Sequence, residues 1–247
     1  MSPAPRESAK PHLNALLLPG LDGSGALFGP LVSALAKLGV SARAVGYPVK
    51  ECLSYDALTL RVLADLPPAP FVIVGESFSG AIALAIARSA PRGLCGVVLA
   101  AAFVRRPVPR ALGLVSRILF SLPAPAFGLR IVLAGGDAPP ALVKSLQAVL
   151  AAVPARVLAH RLDLILGLDA RADLSACPVP VLYLAGDRDR LVVPGTGARL
   201  QRLRPDLELE TLPAPHLLLQ RQPQLAAERI AAFARAHVRA SSSAPAG

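Results

Sequence analysis

The sequence has no tryptophan, only three tyrosines and few charged residues (17%), yet its formal net charge is +10. Binding of nucleic acid requires Lys and Arg to be grouped on one surface, in many domains beside aromatic side chains that stack on bases. The tightest basic groups are Arg105/Arg106 and the series Arg199, Arg202 and Arg204, and neither contains an aromatic residue. We therefore expect no nucleic-acid partner. The preference for Arg over Lys, together with abundant Ala, Pro and Leu, is typical of a GC-rich bacterial genome.

Cysteine is scarce, and long uninterrupted apolar runs are missing. Cys52, Cys95 and Cys177 are widely spaced and odd in number, which excludes a paired disulfide framework and a Cys-x-x-Cys metal or redox unit. The apolar run Leu13 to Leu18 is too short for a signal-peptide core. Arg and Pro interrupt the longer apolar stretches before they reach the roughly 20 residues of a membrane span. We expect a cytoplasmic protein without a membrane-spanning helix.

Short apolar runs bounded by Gly and Pro alternate with longer segments of helical spacing. This alternation is typical of a parallel sheet with helices on both faces. The predicted strands are Asn14–Leu18, Ala42–Val45, Pro70–Val74, Gly96–Ala100, Val181–Ala185 and Leu207–Leu212. The predicted helices are Leu27–Lys37, Tyr55–Leu66, Phe78–Ser89, Thr196–Leu203 and Pro223–His237. The sequence thus predicts an α/β fold with a doubly wound, mostly parallel sheet of about six strands.

Residues 104–173 depart from this alternation, because they contain no convincing strand and carry apolar residues at helical spacing. Examples are the series Leu112, Val115, Leu119 and the series Leu142, Leu146, Val149. Seven prolines divide the segment into short helices, since Pro cannot continue a helix interior. We predict a helical cap at 104–173, inserted between the two parts of the sheet domain, 13–103 and 174–238. An N-terminal extension (1–12) and a disordered tail (239–247) complete the chain.

A candidate nucleophile lies where the strand ending at Val74 meets the next helix. The run Gly75-Glu76-Ser77-Phe78-Ser79-Gly80 joins the two elements. A sharp strand-to-helix turn of this kind, a nucleophile elbow, lifts the serine hydroxyl above the sheet edge and needs small neighbours because the two backbones approach closely. A phosphate-binding turn would need a Gly-x-Gly-x-x-Gly or Walker pattern, which the run lacks. Ser77 is therefore the candidate nucleophile.

A serine hydroxyl requires a histidine base that an acid orients. His216 follows the last predicted strand, at the sheet edge where catalytic groups collect in open α/β sheets. The other histidines lie before the first strand, in the cap and on the last helix (His12, His160 and His237). The acid should follow the preceding strand, where Asp187 and Asp189 are both candidates.

Two backbone N–H groups are needed to bind the negative charge that develops on an attacked carbonyl oxygen. The N–H of Phe78, directly after the nucleophile, supplies one. The Gly-rich loop Pro19 to Gly25 supplies the other, from Leu21 or Asp22. Its glycines lack the spacing of either nucleotide motif, so a phosphate-binding turn is disfavoured.

Taken together, the loop at 19–25, the elbow at 75–80, the segment at 186–189 and His216 resemble the α/β-hydrolase superfamily. The first loop and the elbow are similar to those of small bacterial members. The superfamily's pattern of Gly, two variable residues, Asp and an apolar pair before Pro falls on Asp189, which leaves Asp187 as a turn former. The chain departs from the pattern at Pro19, where many members carry His, and at Ser79, the usual position of the second elbow glycine.

The resemblance implies acyl transfer, in which Ser77 attacks a carbonyl, His216 accepts its proton and Asp189 orients His216. The N–H groups of Leu21 and Phe78 would hold the oxyanion, and neither a metal nor an organic cofactor is implied. The expected substrate is a small carboxylic ester with an apolar acyl or alcohol group, because the cap is rich in Leu, Val, Ala and Phe. The same composition also suits a cap that only packs.

Other functions remain open at this stage. An acyltransferase or a thioesterase would use the same triad, a peptidase is less favoured, and a non-catalytic binding protein would normally have lost a triad member. Arg117 and Arg130 flank the apolar segment from Leu112 to Leu133, which raises the idea of a helix lying on a membrane surface. The prolines in this segment argue against it, so we expect no membrane association.

Overall fold

The strands of the protein form one parallel sheet. The computed structural model describes residues 13–106 and 130–242. The strands are β1 (Leu13–Leu18), β2 (Val40–Ala44), β3 (Phe71–Glu76), β4 (Leu94–Ala100), β5 (Val181–Gly186) and β6 (Glu208–Leu212). Their order is β2-β1-β3-β4-β5-β6, and every neighbouring pair is parallel. The doubly wound parallel sheet of six strands is therefore confirmed.

The helices lie between the strands in the chain. They are α1 (Gly29–Lys37), α2 (Tyr55–Leu63), α3 (Gly80–Arg88), α4 (Pro140–Ala151), α5 (Ala155–Gly167), α6 (Arg171–Ser175), α7 (Thr196–Leu203), α8 (Leu218–Arg221) and α9 (Pro223–Ser242). Short 3-10 turns at Ala26–Phe28 and Ser77–Ser79 lead into α1 and α3. A π-helical turn covers Arg130–Ala134. The helices cover both faces of the sheet, as a parallel sheet requires.

Successive residues of each central strand supply the two faces of the sheet, because side chains alternate along a strand. Leu16 and Ile73 belong to the core on the side of α2 and α3. Leu17 and Val74 belong to the core on the side of α1 and α9. Since both faces are covered, all of β3 and β4 is buried, which explains why they read as continuous apolar runs rather than as alternating ones.

Several boundaries differ from the predicted ones by a few residues. Helix α2 ends at Leu63, three residues early, and the elbow helix begins with a 3-10 turn before α3 starts at Gly80. Helix α9 continues to Ser242, so residues 239–242 of the predicted disordered tail are helical. The physical reason is that Arg239 and Ala240 are strong helix formers that extend a helix already held by packing. The other predicted tail residues (243–247) and the predicted extension (1–12) lie outside the described residues.

The predicted cap is described in part. Helices α4 and α5 begin at prolines, with Pro140 in the first turn of α4 and Pro154 at the N-cap of α5, where a missing N–H leaves no hydrogen bond unmade. An isolated antiparallel bridge joins Arg105 to Asp169, close to the two ends of the segment. The series Leu112, Val115 and Leu119 lies outside the described residues. Among the described residues no single helix is long and apolar enough to cross a membrane; α4 and α5 pass only as a pair, which is bent by 98°.

Candidate active site

The candidate catalytic residues come from loops at the carboxyl ends of four strands. The loop after β1 and the elbow after β3 are neighbours because these strands pair directly, with Leu18 opposite Gly75. The chain runs from β1 to β2 on one side and then returns to β3 on the other, which makes this crevice the switch point of the sheet. The loops after β5 and β6 are neighbours in the same way, with Gly186 opposite Leu212.

The elbow is tight enough to constrain its own sequence. Ser77 has a φ of 47°, a left-handed conformation that is strained for a residue with a side chain. A Cβ added to Gly75 would lie 2.7 Å from the carbonyl oxygen of Ser79, and one added to Gly80 would lie 2.5 Å from Cβ of Ala102. Only glycine fits at these two positions. The superfamily motif has its second glycine at position 79, whereas in this chain Gly80, one residue later, leaves room for the close approach of strand and helix.

Ser77, His216 and Asp189 form a continuous hydrogen-bonded chain. Nδ1 of His216 is 2.9 Å from Oδ2 of Asp189, and Nε2 is 2.9 Å from Oγ of Ser77. A carboxylate can only accept, so Nδ1 carries the proton and donates it, which leaves Nε2 to accept from the serine hydroxyl. All three side chains are buried or nearly so. The arrangement has the geometry of a nucleophile, a base and an orienting acid.

The two candidate acids lie in different environments. The Asp189 side chain is 4% exposed, whereas that of Asp187 is 48% exposed and lies 3.6 Å from Arg188. Oδ1 of Asp189 accepts the backbone N–H groups of Leu191 and Val192 at 2.8 and 3.0 Å. Burial acts to raise the pKa of Asp189, but the hydrogen bond and electrostatic attraction from His216, together with these N–H groups, outweigh burial and leave the pKa below its ordinary value. Asp189 is thus ionised and fixed against His216.

Ser79 and Pro19, the two departures from the superfamily pattern, bind each other. The Ser79 hydroxyl donates to the carbonyl oxygen of Pro19, and the Tyr47 hydroxyl donates to Oγ of Ser79 at 2.7 Å. The Ser79 side chain is fully buried. A glycine at position 79 would leave the Tyr47 hydroxyl without this partner. The substitution at the elbow therefore joins the nucleophile turn to the loop that supplies Leu21.

A buried arginine from the cap holds the same loop. The guanidinium of Arg161, on α5, donates to the carbonyl oxygens of Leu21 and Asp22 at 2.9 and 2.8 Å and to that of Pro48 at 3.2 Å. Arg161 is 2% exposed. Because Leu21 O is fixed by this contact, the backbone of the predicted oxyanion loop has a defined orientation. The N–H groups of Leu21 and Phe78 take part in none of the turn and loop hydrogen bonds of the described residues.

An apolar cavity of about 300 Å³ opens onto Ser77 and His216. Its walls come from the sheet domain and from the described part of the cap. The side chains from α4 and α5 are Leu146, Leu150, Leu162, Ile165 and Leu166. Phe103 also lines the cavity, with its ring 6.0 Å from that of His216. The volume is at the lower end of small-molecule pockets.

Two buried carboxyl groups, Asp22 and Glu76, line this cavity without belonging to the triad. Asp22 accepts hydrogen bonds from the backbone N–H and the hydroxyl of Ser24. Glu76 is 4% exposed, and its Oε1 has no hydrogen-bond partner among the described residues. Burial raises the pKa of Glu76 to about 8, the Gln220 side chain and the Gly20 N–H act to lower it, and the charge of Asp22 raises it further. A carboxyl group with this pKa is mostly protonated at pH 7, and Glu76 directly precedes the candidate nucleophile in the chain.

Three contributors to the site were missed by sequence reasoning: Arg161, Tyr47 and Glu76. Arg161 had no local signal, since an arginine among apolar residues of a helix normally points to solvent. Glu76 stood in the elbow motif, but its burial depends on loops from distant parts of the chain. Among the described residues, no three His, Cys, Asp or Glu side chains are grouped as metal ligands.

Comparison with known proteins identifies the family of this fold. The family model described as "Alpha/beta hydrolase family" matches residues 15–229 of the chain. No curated protein matches the sequence.

Solved structures share the fold at low sequence identity. The enol-lactonase from Burkholderia xenovorans LB400 is 18% identical, with a TM-score of 0.77 over 89% of this chain and 90% of that one. The esterase from Exiguobacterium antarcticum is 15% identical, with a TM-score of 0.80 over 90% and 92% of the two chains. The bromoperoxidase from Bacillus anthracis is 17% identical, with a TM-score of 0.73 over 90% and 91%. At such identities the likeness concerns the fold, and the named activities differ.

The geometry predicts different results for the two aspartates. Asp189→Asn should lower turnover of a p-nitrophenyl ester by about 10⁴, because the amide favours the wrong tautomer of His216. Asp187→Asn, an equal change on the same loop, should leave turnover near the wild-type value because its side chain does not reach His216. Steady-state kinetics on the purified variants measures both. The reverse ranking would transfer the role to Asp187.

The raised pKa of Glu76 predicts a pH-dependent stability. Between the ordinary glutamate pKa of 4.5 and about 8, the folded state keeps the Glu76 proton that the unfolded state has released. The folded state thus binds more protons, so this group makes the free energy of unfolding fall as pH rises, by at most about 1.4 kcal/mol per pH unit. Glu76→Gln should remove that part of the slope in urea unfolding at a series of pH values. Glu228→Gln, on an exposed carboxylate, is the control; identical slopes for the wild type and Glu76→Gln would contradict the prediction.

Proposed function

Since the chain belongs to the alpha/beta hydrolase family, which supports a hydrolase activity, we propose that it is a serine hydrolase of carboxylic esters. The observation that carries the proposal is the continuous chain of hydrogen bonds from Ser77 through His216 to Asp189 at the mouth of an apolar cavity. The esterase and the enol-lactonase among the similar structures are in keeping with this chemistry.

The proposed reaction proceeds through an acyl-enzyme. His216 Nε2 takes the proton of Ser77 as Oγ attacks the ester carbonyl, and the carbonyl oxygen becomes negatively charged. The N–H groups of Leu21 and Phe78 stabilise that oxyanion. His216 then gives its proton to the departing alcohol. In the second half, His216 takes a proton from water as the water oxygen attacks the acyl carbon. The bond from the acyl carbon to Oγ of Ser77 then breaks, His216 returns the proton to Oγ, and the acid leaves.

The apolar lining of the cavity supports an apolar acyl or alcohol group. A hydrocarbon chain in the cavity would contact leucine and isoleucine side chains from α4 and α5 as well as Leu217. Burial of each CH₂ contributes about 0.8 kcal/mol in favourable cases. A water-excluding cavity also strengthens the hydrogen bonds to the oxyanion.

Covalent labelling tests the nucleophile. A fluorophosphonate should label the wild-type protein, should fail to label Ser77→Ala and should label His216→Ala far more slowly, because the hydroxyl then lacks its base. Ser145→Ala, on the exposed side of α4, is the matched control and should react like the wild type. The labelled protein is read by gel fluorescence and by intact mass. Undiminished labelling of Ser77→Ala would refute the proposed nucleophile.

A series of esters tests the substrate class. The ratio kcat/KM should rise from p-nitrophenyl acetate through butyrate to octanoate, because each added CH₂ reaches further into the apolar cavity. Leu150→Asn should reduce the value for octanoate more than that for acetate, since Leu150 lines the cavity. Leu60→Asn changes a leucine that is 67% exposed on α2 and should leave the series unchanged. A flat series would leave the cavity lining with a packing role and remove the support for an apolar substrate.

A further inference from the structure

A second, larger cleft of about 530 Å³ lies beside the catalytic cavity and collects arginines from separate parts of the chain. Its arginines are Arg105, Arg106, Arg171, Arg199 and Arg202. Two basic groups that stand about ninety residues apart in the sequence therefore meet here. Arg204, the third member of the second group, has a different role: its buried guanidinium binds the carbonyl oxygens of Leu174, Cys177 and Val179 and the carboxylate of Asp206.

The positive charge of the cleft is largely uncompensated. Asp169 pairs with Arg171 at 2.6 Å, and no other carboxylate of the described residues forms an ion pair with any of the five arginines. The undescribed residues 107–129, which follow Arg106, contain neither Asp nor Glu and so bring no counter-charge. A concave surface with charges of one sign concentrates ligands of the opposite sign.

Apart from Thr196, the other described residues that line the cleft are apolar. It includes Val193 and Leu203, which are 45% and 41% exposed and are two of the three large hydrophobic side chains with high exposure among the described residues. Phe103, Val104 and Leu200 add to the same wall. Single exposed hydrophobic residues are normal, but two in one basic cleft give it an amphipathic character.

We propose that this cleft is a binding site for a small organic anion, with a phosphate or carboxylate head and an apolar body. The planar guanidinium of Arg binds two oxygens of such a head at once through charge-assisted hydrogen bonds. The exposed valine and leucine offer contacts to the body. The volume suits one molecule of drug-like size rather than a polymer.

The cleft adjoins the catalytic cavity across a thin wall. Phe103 lines both cavities, and the neighbouring residues Leu191 and Val192 line the catalytic cavity and the cleft respectively. A bound anion would therefore lie on the other side of Phe103 from His216. The anion site does not depend on ester hydrolysis, so direct binding tests it whether or not the proposed activity is found.

Calorimetric titration with phenyl phosphate tests the site, with benzoate as the carboxylate arm and phenol and inorganic phosphate as the two halves of the ligand. We expect one binding event with phenyl phosphate that is stronger than with either half. Arg199→Gln/Arg202→Gln should weaken binding by about tenfold or more, because charge-assisted hydrogen bonds are lost. Both side chains are exposed, so the variant should fold normally, as its circular dichroism and Tm will show.

A matched control separates a site from general charge attraction. Arg61→Gln/Arg92→Gln removes the same net charge from exposed arginines outside the cleft and should bind phenyl phosphate like the wild type. Equal weakening in both double variants, or inorganic phosphate binding as tightly as phenyl phosphate, would overturn the proposal. A single-stranded oligonucleotide that outcompetes phenyl phosphate on the wild type and loses affinity in Arg199→Gln/Arg202→Gln would assign the cleft to nucleic acid instead.

Discussion

The close approach of β3 and α3 is the constraint on which the site depends. The two elements meet at Gly75 and Gly80, where no Cβ fits, and the turn between them holds Ser77 at a positive φ. A residue in this conformation persists only when its surroundings over-determine it. The turn lies between buried β3 and largely buried α3, and these two elements hold its backbone in place. The hydroxyl of Ser77 therefore stays within hydrogen-bond distance of His216.

The predicted oxyanion loop is held from two directions by buried side chains. Ser79 binds it from the elbow through Pro19, and Arg161 binds it from the cap through Leu21 and Asp22. Burial acts first to lower the pKa of Arg161, and the nearby charge of Asp22 acts against it. Displacing α5 would leave a buried guanidinium without its carbonyl partners, at a cost of roughly 1–3 kcal/mol per lost acceptor. The contacts of Arg161 therefore couple the position of α5, in the described part of the cap, to the backbone of the loop beside Ser77.

The strands, the elbow and the position of His216 could be predicted because each leaves a local pattern: an apolar run, a small-residue turn, a histidine after the last strand. Choosing Asp189 over Asp187 required the superfamily pattern, and its geometric reason, the two N–H groups of Leu191 and Val192, is visible only in three dimensions. The different environments of Arg199 and Arg204 could not be predicted, since both are arginines of one basic series. Arg199 lies on α7 and lines the cleft, whereas Arg204 directly follows α7 and its guanidinium is buried among carbonyl oxygens.

The raised pKa of Glu76 removes one source of negative charge next to Ser77. An ionised carboxylate beside the nucleophile would oppose the oxyanion, and in an apolar cavity that opposition would be weakly screened. Burial reduces this repulsion, because it raises the pKa of Glu76 and keeps the carboxyl group mostly protonated at neutral pH. Asp189 stays ionised on the far side of His216, where a negative charge would stabilise the imidazolium of the proposed reaction. Asp189 and Glu76 thus differ in charge for a local reason. The Asp189 carboxylate accepts three hydrogen bonds, whereas Oε1 of Glu76 has no partner among the described residues. The proposed acyl transfer would therefore benefit from both shifts, because the raised pKa of Glu76 keeps negative charge away from the oxyanion and the lowered pKa of Asp189 keeps it beside the imidazolium.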